Sequence, residues 1–185
     1  MTEPLTSLPR RQVLTASVAV AFGAAAPAAA QQPRIVGQEY WAQKGDVKLH
    51  VWRKRLDDGR TGKPVIFFVH GSSFSGRAGY DLQVPGHPEY SAMDHFAGLG
   101  YDVWTMDHEG YGLSSRNTGN NSGIQSRVAD LEAAMPIVER ETGARKLFMR
   151  GQSSGAISLG VFAMHHPDRV HKIDRKSTRL NSSHT

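Results

Sequence analysis

The stretch from Lys146 to Ala163, KLFMRGQSSGAISLGVFA, decides the fold. Residues 146–149 predict a short strand, and the small residues that follow lead directly into a predicted helix. Between them, GQSSG at residues 151–155 fits the pattern G-x-S-x-G. A Gly/Ser-rich loop or a helix N-cap would give the same letters, but the strand before and the helix after favour a tight turn that points a strained serine out of the sheet. Ser153 is therefore the candidate nucleophile.

Two strand patterns lie upstream of this turn. Residues 47–51 alternate between apolar and polar side chains, and with residues 35–43 and the turn at 44–46 they predict an antiparallel hairpin. Residues 64–69, PVIFFV, form an unbroken apolar run, which is typical of a strand buried on both faces in a parallel sheet. The sequence thus passes from an antiparallel to a parallel environment.

Helices and strands alternate after this apolar run. A helix is predicted from Ser91 to Leu99, followed by a strand from Tyr101 to Met106. A longer helix has an apolar face whose residues are spaced three or four apart: Ile124, Val128, Leu131, Met135 and Val138. Pro136 is expected to kink this helix or shift its start. The fold class is α/β, a mostly parallel, doubly wound sheet with a leading antiparallel hairpin.

A second motif, HGSSF at residues 70–74, follows the buried strand. An acyl-transfer site needs two backbone N–H groups that are fixed before the reaction, so that they can stabilise a tetrahedral oxyanion. A glycine-containing loop at the end of a neighbouring strand can place one of them. The motif gains weight because Ser153 follows it in the chain.

Together these motifs resemble the α/β-hydrolase fold family. The resemblance extends to DHEGYGLSS at residues 107–115, which is similar to the family's D-x-x-G-x-G-x-S segment, and to HPDRV at residues 166–170. Four landmarks in the expected order span Val65 to Ile173. The chain is therefore identified as the N-terminal part of an α/β-hydrolase domain.

The resemblance implies a role for each motif residue. Ser153 would be the nucleophile, and the backbone N–H groups of Ser154 and Ser72 would form the oxyanion hole, with Ser73 as an alternative to Ser72. His70 is expected to have a structural part, and Asp107 to hydrogen-bond the turn that follows it rather than to serve as the triad acid. The motif glycines are Gly71, Gly151 and Gly155.

The acid and base of a catalytic triad are missing from the pattern. In this family they follow the serine in the order Asp or Glu, then His. Asp168 is the only plausible acid after Ser153, and His165 and His166 lie at the far end of the helix, roughly 18 Å from the turn at 1.5 Å per residue. His171 also lies in this region, and His184 belongs to the terminal segment described next. We therefore expect the chain by itself to be inactive.

Both ends of the chain differ from the middle. Residues 1–30 have the layout of a secretory signal peptide, with Arg10-Arg11 similar to a twin-arginine signal and with cleavage expected after Ala30. Residues 174–185 lack apolar periodicity and resemble one translated frame of a sequencing adapter. The sequence therefore predicts export, with a periplasmic location, no stable membrane anchor, and a hydrolase-like domain over residues 31–173.

Composition excludes several classes of function. The chain of 185 residues has no cysteine, which excludes disulfides, thiolate metal sites and a cysteine nucleophile. Its net charge of +5 is largely terminal, because five basic and two acidic residues lie in the two end segments. Neither nucleic-acid binding nor a nucleotide, cofactor or metal site is predicted.

The expected activity is hydrolysis of a carboxylic ester or a related small acyl substrate through an acyl-enzyme on Ser153. An acyltransferase with the same triad is a near alternative. A non-catalytic binding protein on the same fold is a further alternative from a different class.

Overall fold

A computed structural model of the chain describes residues 34–116 and 123–176. Six strands form one sheet, and four helices and two short 3₁₀ turns connect them. The strands are β1 (Arg34–Lys44), β2 (Val47–Asp57), β3 (Val65–Val69), β4 (Asp102–Met106), β5 (Leu147–Gln152) and β6 (Val170–Lys176). The helices are α1 (Gly76–Tyr80), α2 (Ala92–Gly98), α3 (Ile124–Thr142) and α4 (Ser154–His165), and the 3₁₀ turns are Pro88–Tyr90 and Pro167–Arg169.

The sheet changes from antiparallel to parallel, which confirms the predicted fold class. Its strand order is β1-β2-β4-β3-β5-β6. Strands β1 and β2 form an antiparallel hairpin, and β2 pairs antiparallel with β4. From β4 through β3 and β5 to β6 all neighbours are parallel. All five residues of β3 are buried, as its unbroken apolar run predicts.

Apolar clusters lie on both faces of the sheet. One includes Phe67 and Trp104 from the strands together with Leu131 of α3 and Leu159 of α4, all fully buried. The other combines Phe68 of β3 with Met93 of α2. Helices therefore cover both faces, which is the layered arrangement expected for a doubly wound sheet.

Pro136 does not shift the start of α3. The helix begins at Ile124 and continues through Pro136 to Thr142, where Gly143 ends it in the left-handed conformation. Val128, Leu131 and Val138 are buried, so the predicted apolar face is confirmed.

The structure describes little of the two predicted terminal segments. The predicted signal peptide, residues 1–30, lies outside the described residues, as do residues 177–185 of the predicted foreign tail. Asp174, Arg175 and Lys176 of that tail continue β6, in register with Arg150, Gly151 and Gln152 of β5.

Candidate active site

Ser153 lies at the turn between β5 and α4 in an unusual backbone conformation. Its φ of 56° and ψ of −127° are close to those of the first central residue of a type II′ turn, a position that glycine normally occupies. Within residues 34–116 and 123–176, it is the one non-glycine residue with a positive φ. Such strain persists only where the surrounding structure holds it, and it occurs most often at functional sites.

Glycines allow the backbone to come close around this turn. A Cβ atom at Gly151 would lie 2.7 Å from the carbonyl oxygen of Gly155 and 2.8 Å from the Cα of Ala156. A Cβ atom at Gly155 would lie 2.5 Å from the carbonyl oxygen of Val69, at the end of β3. Both positions are therefore closed to any side chain, and helix α4 can begin directly against the central strand.

The loop after β3 lies beside the serine. A Cβ atom at Gly71 would lie 3.0 Å from the Cβ of Ser153 and 3.5 Å from its Oγ. The hydroxyls of Ser72 and Ser154 are 2.8 Å apart and share a hydrogen bond. The structure thus brings together the candidate nucleophile and the two residues whose N–H groups the resemblance assigns to the oxyanion hole.

His70 fixes the orientation of this loop. Its Nδ1 lies 2.6 Å from the carbonyl oxygen of Gly71, and its Nε2 accepts the backbone N–H of His108 at 3.0 Å. This pair of bonds requires the neutral ring with the proton on Nδ1. Because C=O and N–H point in opposite directions across a trans peptide, the bond to Gly71 directs the Ser72 N–H away from the His70 ring.

Burial keeps the His70 ring uncharged. Together with the nearby His108, it lowers the pKa of His70 from 6.5 to about 3. Arg127 of α3 donates from Nη1 to the carbonyl oxygen of His70 at 3.1 Å, and this hydrogen bond holds the residue that follows β3. With both ring nitrogens engaged, His70 positions the loop, as the sequence predicts.

Asp107 likewise has a structural position. Its Oδ2 accepts the backbone N–H of Leu113 at 3.0 Å, which closes the turn after β4 as predicted. Gly112, with a φ of 51°, passes so close to this carboxylate that a side chain there would collide with it. Hydrogen bonding to His50 lowers the pKa of Asp107 despite its burial.

Local sequence patterns do not reveal the partners that hold this region. His50, fully buried on β2, contacts Asp107 at 3.1 Å through Nδ1 and Glu39 at 2.9 Å through Nε2. In a second cluster, Asp130 of α3 pairs with Lys44 and with Nδ1 of His108, the latter at 3.0 Å. His50 and Lys44 are polar residues of two strands, and nothing in the neighbouring sequence indicates a partner that lies far away in the chain.

A cavity of about 320 Å³ opens beside Ser153. Its polar side includes Ser72, Gln152 and Ser153, and its apolar wall comes from the loop after β3 and from α1, which sequence reasoning missed. This wall contains Phe74, Ala78, Gly79, Tyr80 and Leu82. Tyr80 is fixed, because its hydroxyl donates to the carbonyl oxygen of Val69 at 3.1 Å. The arrangement places a small apolar pocket next to a strained serine.

The remaining predicted triad candidates lie elsewhere. His166 contacts Glu132 at 2.7 Å, and His171 packs edge-on against Phe148. His165 ends α4, at the opposite end of that helix from Ser153. Asp168 lies in the 3₁₀ turn before β6. The structure therefore brings none of these four residues to the serine.

Comparisons with known proteins agree with this geometry. The family model "Serine aminopeptidase, S33" matches residues 89–173, which include the turn at Ser153. An epoxide hydrolase from Vigna radiata aligns over 77% of this chain and 40% of its own, with a TM-score of 0.60 and 18% identity. A protein described as a predicted CIB-like hydrolase from Thermoplasma acidophilum aligns over 77% of this chain and 63% of its own, with a TM-score of 0.57 and 17% identity. The chain has the α/β-hydrolase fold.

A curated relative has a higher sequence identity to this chain than the two solved structures. It is a 2-hydroxy-6-oxononadienedioate/2-hydroxy-6-oxononatrienedioate hydrolase from Paraburkholderia phymatum, 30% identical over 125 residues. The match covers 65% of this chain and 38% of the relative. The matched region thus spans less than half the length of that relative.

Among the described residues, no group of three or more His, Asp or Glu side chains has the geometry to hold a metal ion. In the same part of the chain, no helix is both long and apolar enough to cross a membrane.

Proposed function

We propose that the protein is a serine hydrolase of carboxylic esters or related acyl substrates, with Ser153 as the nucleophile. The observation that carries the proposal is the strained turn at Ser153 beside the loop of Gly71 and Ser72. The matches to a serine aminopeptidase family model and to a curated hydrolase support hydrolytic chemistry.

The geometry suits acyl transfer to a hydroxyl. Oγ of Ser153 would attack the acyl carbon, and the carbonyl oxygen would become an oxyanion facing the N–H groups of Ser72 and Ser154. The serine proton passes to a base and then to the leaving alcohol, which leaves an ester on Ser153. Attack by water on that ester releases the acid and regenerates the serine.

We propose that the 185-residue chain alone lacks this turnover. His165, His166, His171 and Asp168 all lie away from the serine, and His70 has both ring nitrogens engaged. A serine without a base is a weak nucleophile at neutral pH. The acid and base would have to come from a gene product in which other residues replace the adapter-like segment 174–185 and continue the domain beyond Ile173.

Labelling with a fluorophosphonate tests the nucleophile. In a gene product extended beyond Ile173, we expect the label on Ser153 by mass spectrometry. Ser153→Ala should abolish labelling. Ser154→Ala is the matched control, because it removes a neighbouring hydroxyl but keeps the backbone N–H, and it should still be labelled. A folded, extended protein that takes up no label would instead favour a binding protein.

The 185-residue chain provides a second test. Its hydrolysis of a p-nitrophenyl ester should equal that of its own Ser153→Ala variant. Efficient turnover that depends on Ser153 would contradict the proposed inactivity of this chain.

We also propose export through residues 1–30. The support is the Arg10-Arg11 pair followed by an apolar, alanine-rich segment. Fusing residues 1–30 to a folded reporter should deliver the reporter to the periplasm. Replacing both arginines with lysine keeps the charge and should block twin-arginine export, while a reporter that remains in the cytoplasm in both forms would refute the proposal.

A further inference from the structure

The cavity beside Ser153 is small. Its volume of about 320 Å³ lies at the lower end of the range of roughly 300–1,000 Å³ for ligand pockets. If Ser153 is the nucleophile, as proposed above, this cavity adjoins the reacting carbon. Its wall would then contact one side of the substrate.

No side chain that carries a full charge lines this cavity among the described residues. The apolar wall is formed by Phe74, Ala78, Gly79, Tyr80 and Leu82, and the polar side chains are serines and Gln152. His70 also borders the cavity, but its hydrogen bonds to Gly71 and His108 require the neutral ring.

Cations on the surrounding elements are held in other contacts. Arg150 of β5 is close enough to Tyr80 to oppose the rise in that residue's pKa, and its Nε lies 3.4 Å from Oδ2 of Asp174. Arg77 of α1 lies over the Trp52 ring, with 3.8 Å between its guanidinium carbon and the ring centre. Lys54 pairs with Asp81 at 2.6 Å and with Asp94 at 2.5 Å. Arg127 donates to the carbonyl oxygen of His70 and lies over the Tyr111 ring. None of these cations belongs to the lining of the cavity.

We infer that this cavity accepts an uncharged acyl group and rejects one that ends in a carboxylate. A carboxylate placed against the wall of Phe74, Tyr80 and Leu82 would lose part of its hydration without gaining a cationic partner, because Phe74 and Leu82 are only partly exposed, at 65% and 50%. An alkyl chain would gain by burying apolar surface there. This distinguishes the chain from its curated relative, whose name specifies dioate substrates with two carboxylates.

Binding of two unreactive amides to the 185-residue chain tests the inference without any need for catalysis. The probes are hexanamide and 6-amino-6-oxohexanoate, which has a carboxylate at the far end of the same chain. In NMR titrations we expect hexanamide to bind at least about tenfold more tightly, a difference of about 1.4 kcal/mol. Equal binding, tighter binding of the carboxylate probe, or no binding of either probe would overturn the inference.

A charge placed in the wall provides the matched variant. Leu82→Lys should reduce or reverse the preference for hexanamide, because the lysine can pair with the probe's carboxylate. Leu99→Lys introduces the same charge outside the cavity and should leave the preference unchanged. Leu82 is 50% exposed and Leu99 is 63% exposed, so both variants should fold, and their unfolding temperatures verify this. An unchanged preference in Leu82→Lys would contradict the assignment of the cavity.

The two proposals fail separately. If hexanamide binding is selective and responds to Leu82→Lys, but the fluorophosphonate does not label Ser153, the cavity assignment stands and the hydrolase proposal fails. If Ser153 is labelled but the amides show no selectivity, the hydrolase proposal stands and the cavity assignment fails.

Discussion

At the scale of single residues, Ser153 combines a hydroxyl side chain with a backbone conformation that suits glycine. Its φ of 56° places its Cβ in a region that most side chains avoid. Residues held in such conformations cost about 1–3 kcal/mol. The neighbouring glycines and the first turn of α4 hold Ser153 in place at this cost.

We predict that Ser153→Gly is more stable than Ser153→Ala. Both remove the hydroxyl, but alanine keeps the Cβ in the disfavoured region. The difference in free energy of unfolding should be about 1 kcal/mol in favour of glycine, even though glycine is the more flexible residue in the unfolded chain. Urea denaturation of the two variants measures it. Equal stabilities would show that the turn is unstrained.

Residue-scale prediction from sequence worked where the signal was local. The turn at Ser153 could be predicted because the strand, the two glycines and the helix are adjacent in the chain. The hydroxyl pair of Ser72 and Ser154 could not, since its members are 82 positions apart. His50 was also missed, because alternation on a strand indicates burial but does not identify a partner on another strand.

At the scale of elements, the close approach of α4 to β3 depends on Gly155. A Cβ there would meet the backbone oxygens of Val69 and His70, which cannot rotate out of the way as a side chain could. The helix would have to move away from the strand, and the turn at Ser153 would move with it. Sequence pattern identified this glycine, while the structure shows which atoms it must avoid.

Gly155→Ala should therefore destabilise the fold by about 3 kcal/mol, at the upper end of what overpacking costs. Gly98→Ala is the matched control, because it also lies in a helix but has no atom within 4 Å of the added Cβ. It should be neutral or slightly stabilising. Chemical denaturation compares the two variants, and a Gly155→Ala protein as stable as the control would refute the packing argument.

Helix α3 is attached to the hairpin by a buried charge. Asp130 is almost fully buried, pairs with Lys44 of β1, and accepts the backbone N–H of Glu109 at 3.0 Å. Hydrogen bonds from His108 and Lys44 lower its pKa although burial opposes this. Removing the carboxylate leaves Lys44 and the backbone donor without this partner.

Asp130→Ala is expected to cost about 3 kcal/mol of stability, as is typical when one partner of a buried pair is removed. The control is Glu132→Ala on the same helix, because Glu132 pairs with His166 at the surface and is 43% exposed. Surface pairs contribute about 0–1 kcal/mol, so this variant should remain close to the parent. Similar losses in both variants, measured by urea denaturation, would contradict the buried-pair argument.

At the scale of the whole molecule, buried titratable groups make the fold sensitive to acid. The pKa of His70 falls to about 3 on folding, and burial also lowers the pKa of His108. The unfolded chain takes up these protons near pH 6.5, whereas the folded chain does not. The part of the folding free energy that depends on these neutral histidines is thus fully present above about pH 6.5 and is lost as pH falls toward 3. The lowered pKa values of Asp81, Asp107 and Asp130 add a further loss at lower pH.

We predict a decline in the free energy of unfolding between pH 6.5 and 4, with His70 contributing up to about 1.4 kcal/mol per pH unit. His70→Gln, which cannot titrate, should show a shallower decline over the same window. His165→Gln is the control, because His165 is exposed at the end of α4, and this variant should change the slope less than His70→Gln does. Identical slopes in all three proteins would exclude His70 as a cause.

The order of the sheet could be predicted only in outline. The alternating and unbroken apolar runs distinguish the hairpin from the parallel strands, which gives the fold class. The placement of β3 between β4 and β5 depends on pairing between strands that are distant in the chain. The cavity wall from α1 was missed because Gly76–Tyr80 is too short for helical periodicity to show.

The hydrogen bond between Ser72 and Ser154 also has a consequence for how the chain folds. It can form only after β3 and β5 have paired, and closing such a long loop is a slow step compared with forming a helix or a hairpin. The site is therefore assembled late, when the central strands are already in register. In refolding experiments, formation of the Ser72–Ser154 contact would mark the arrival of the native state rather than the collapse that precedes it.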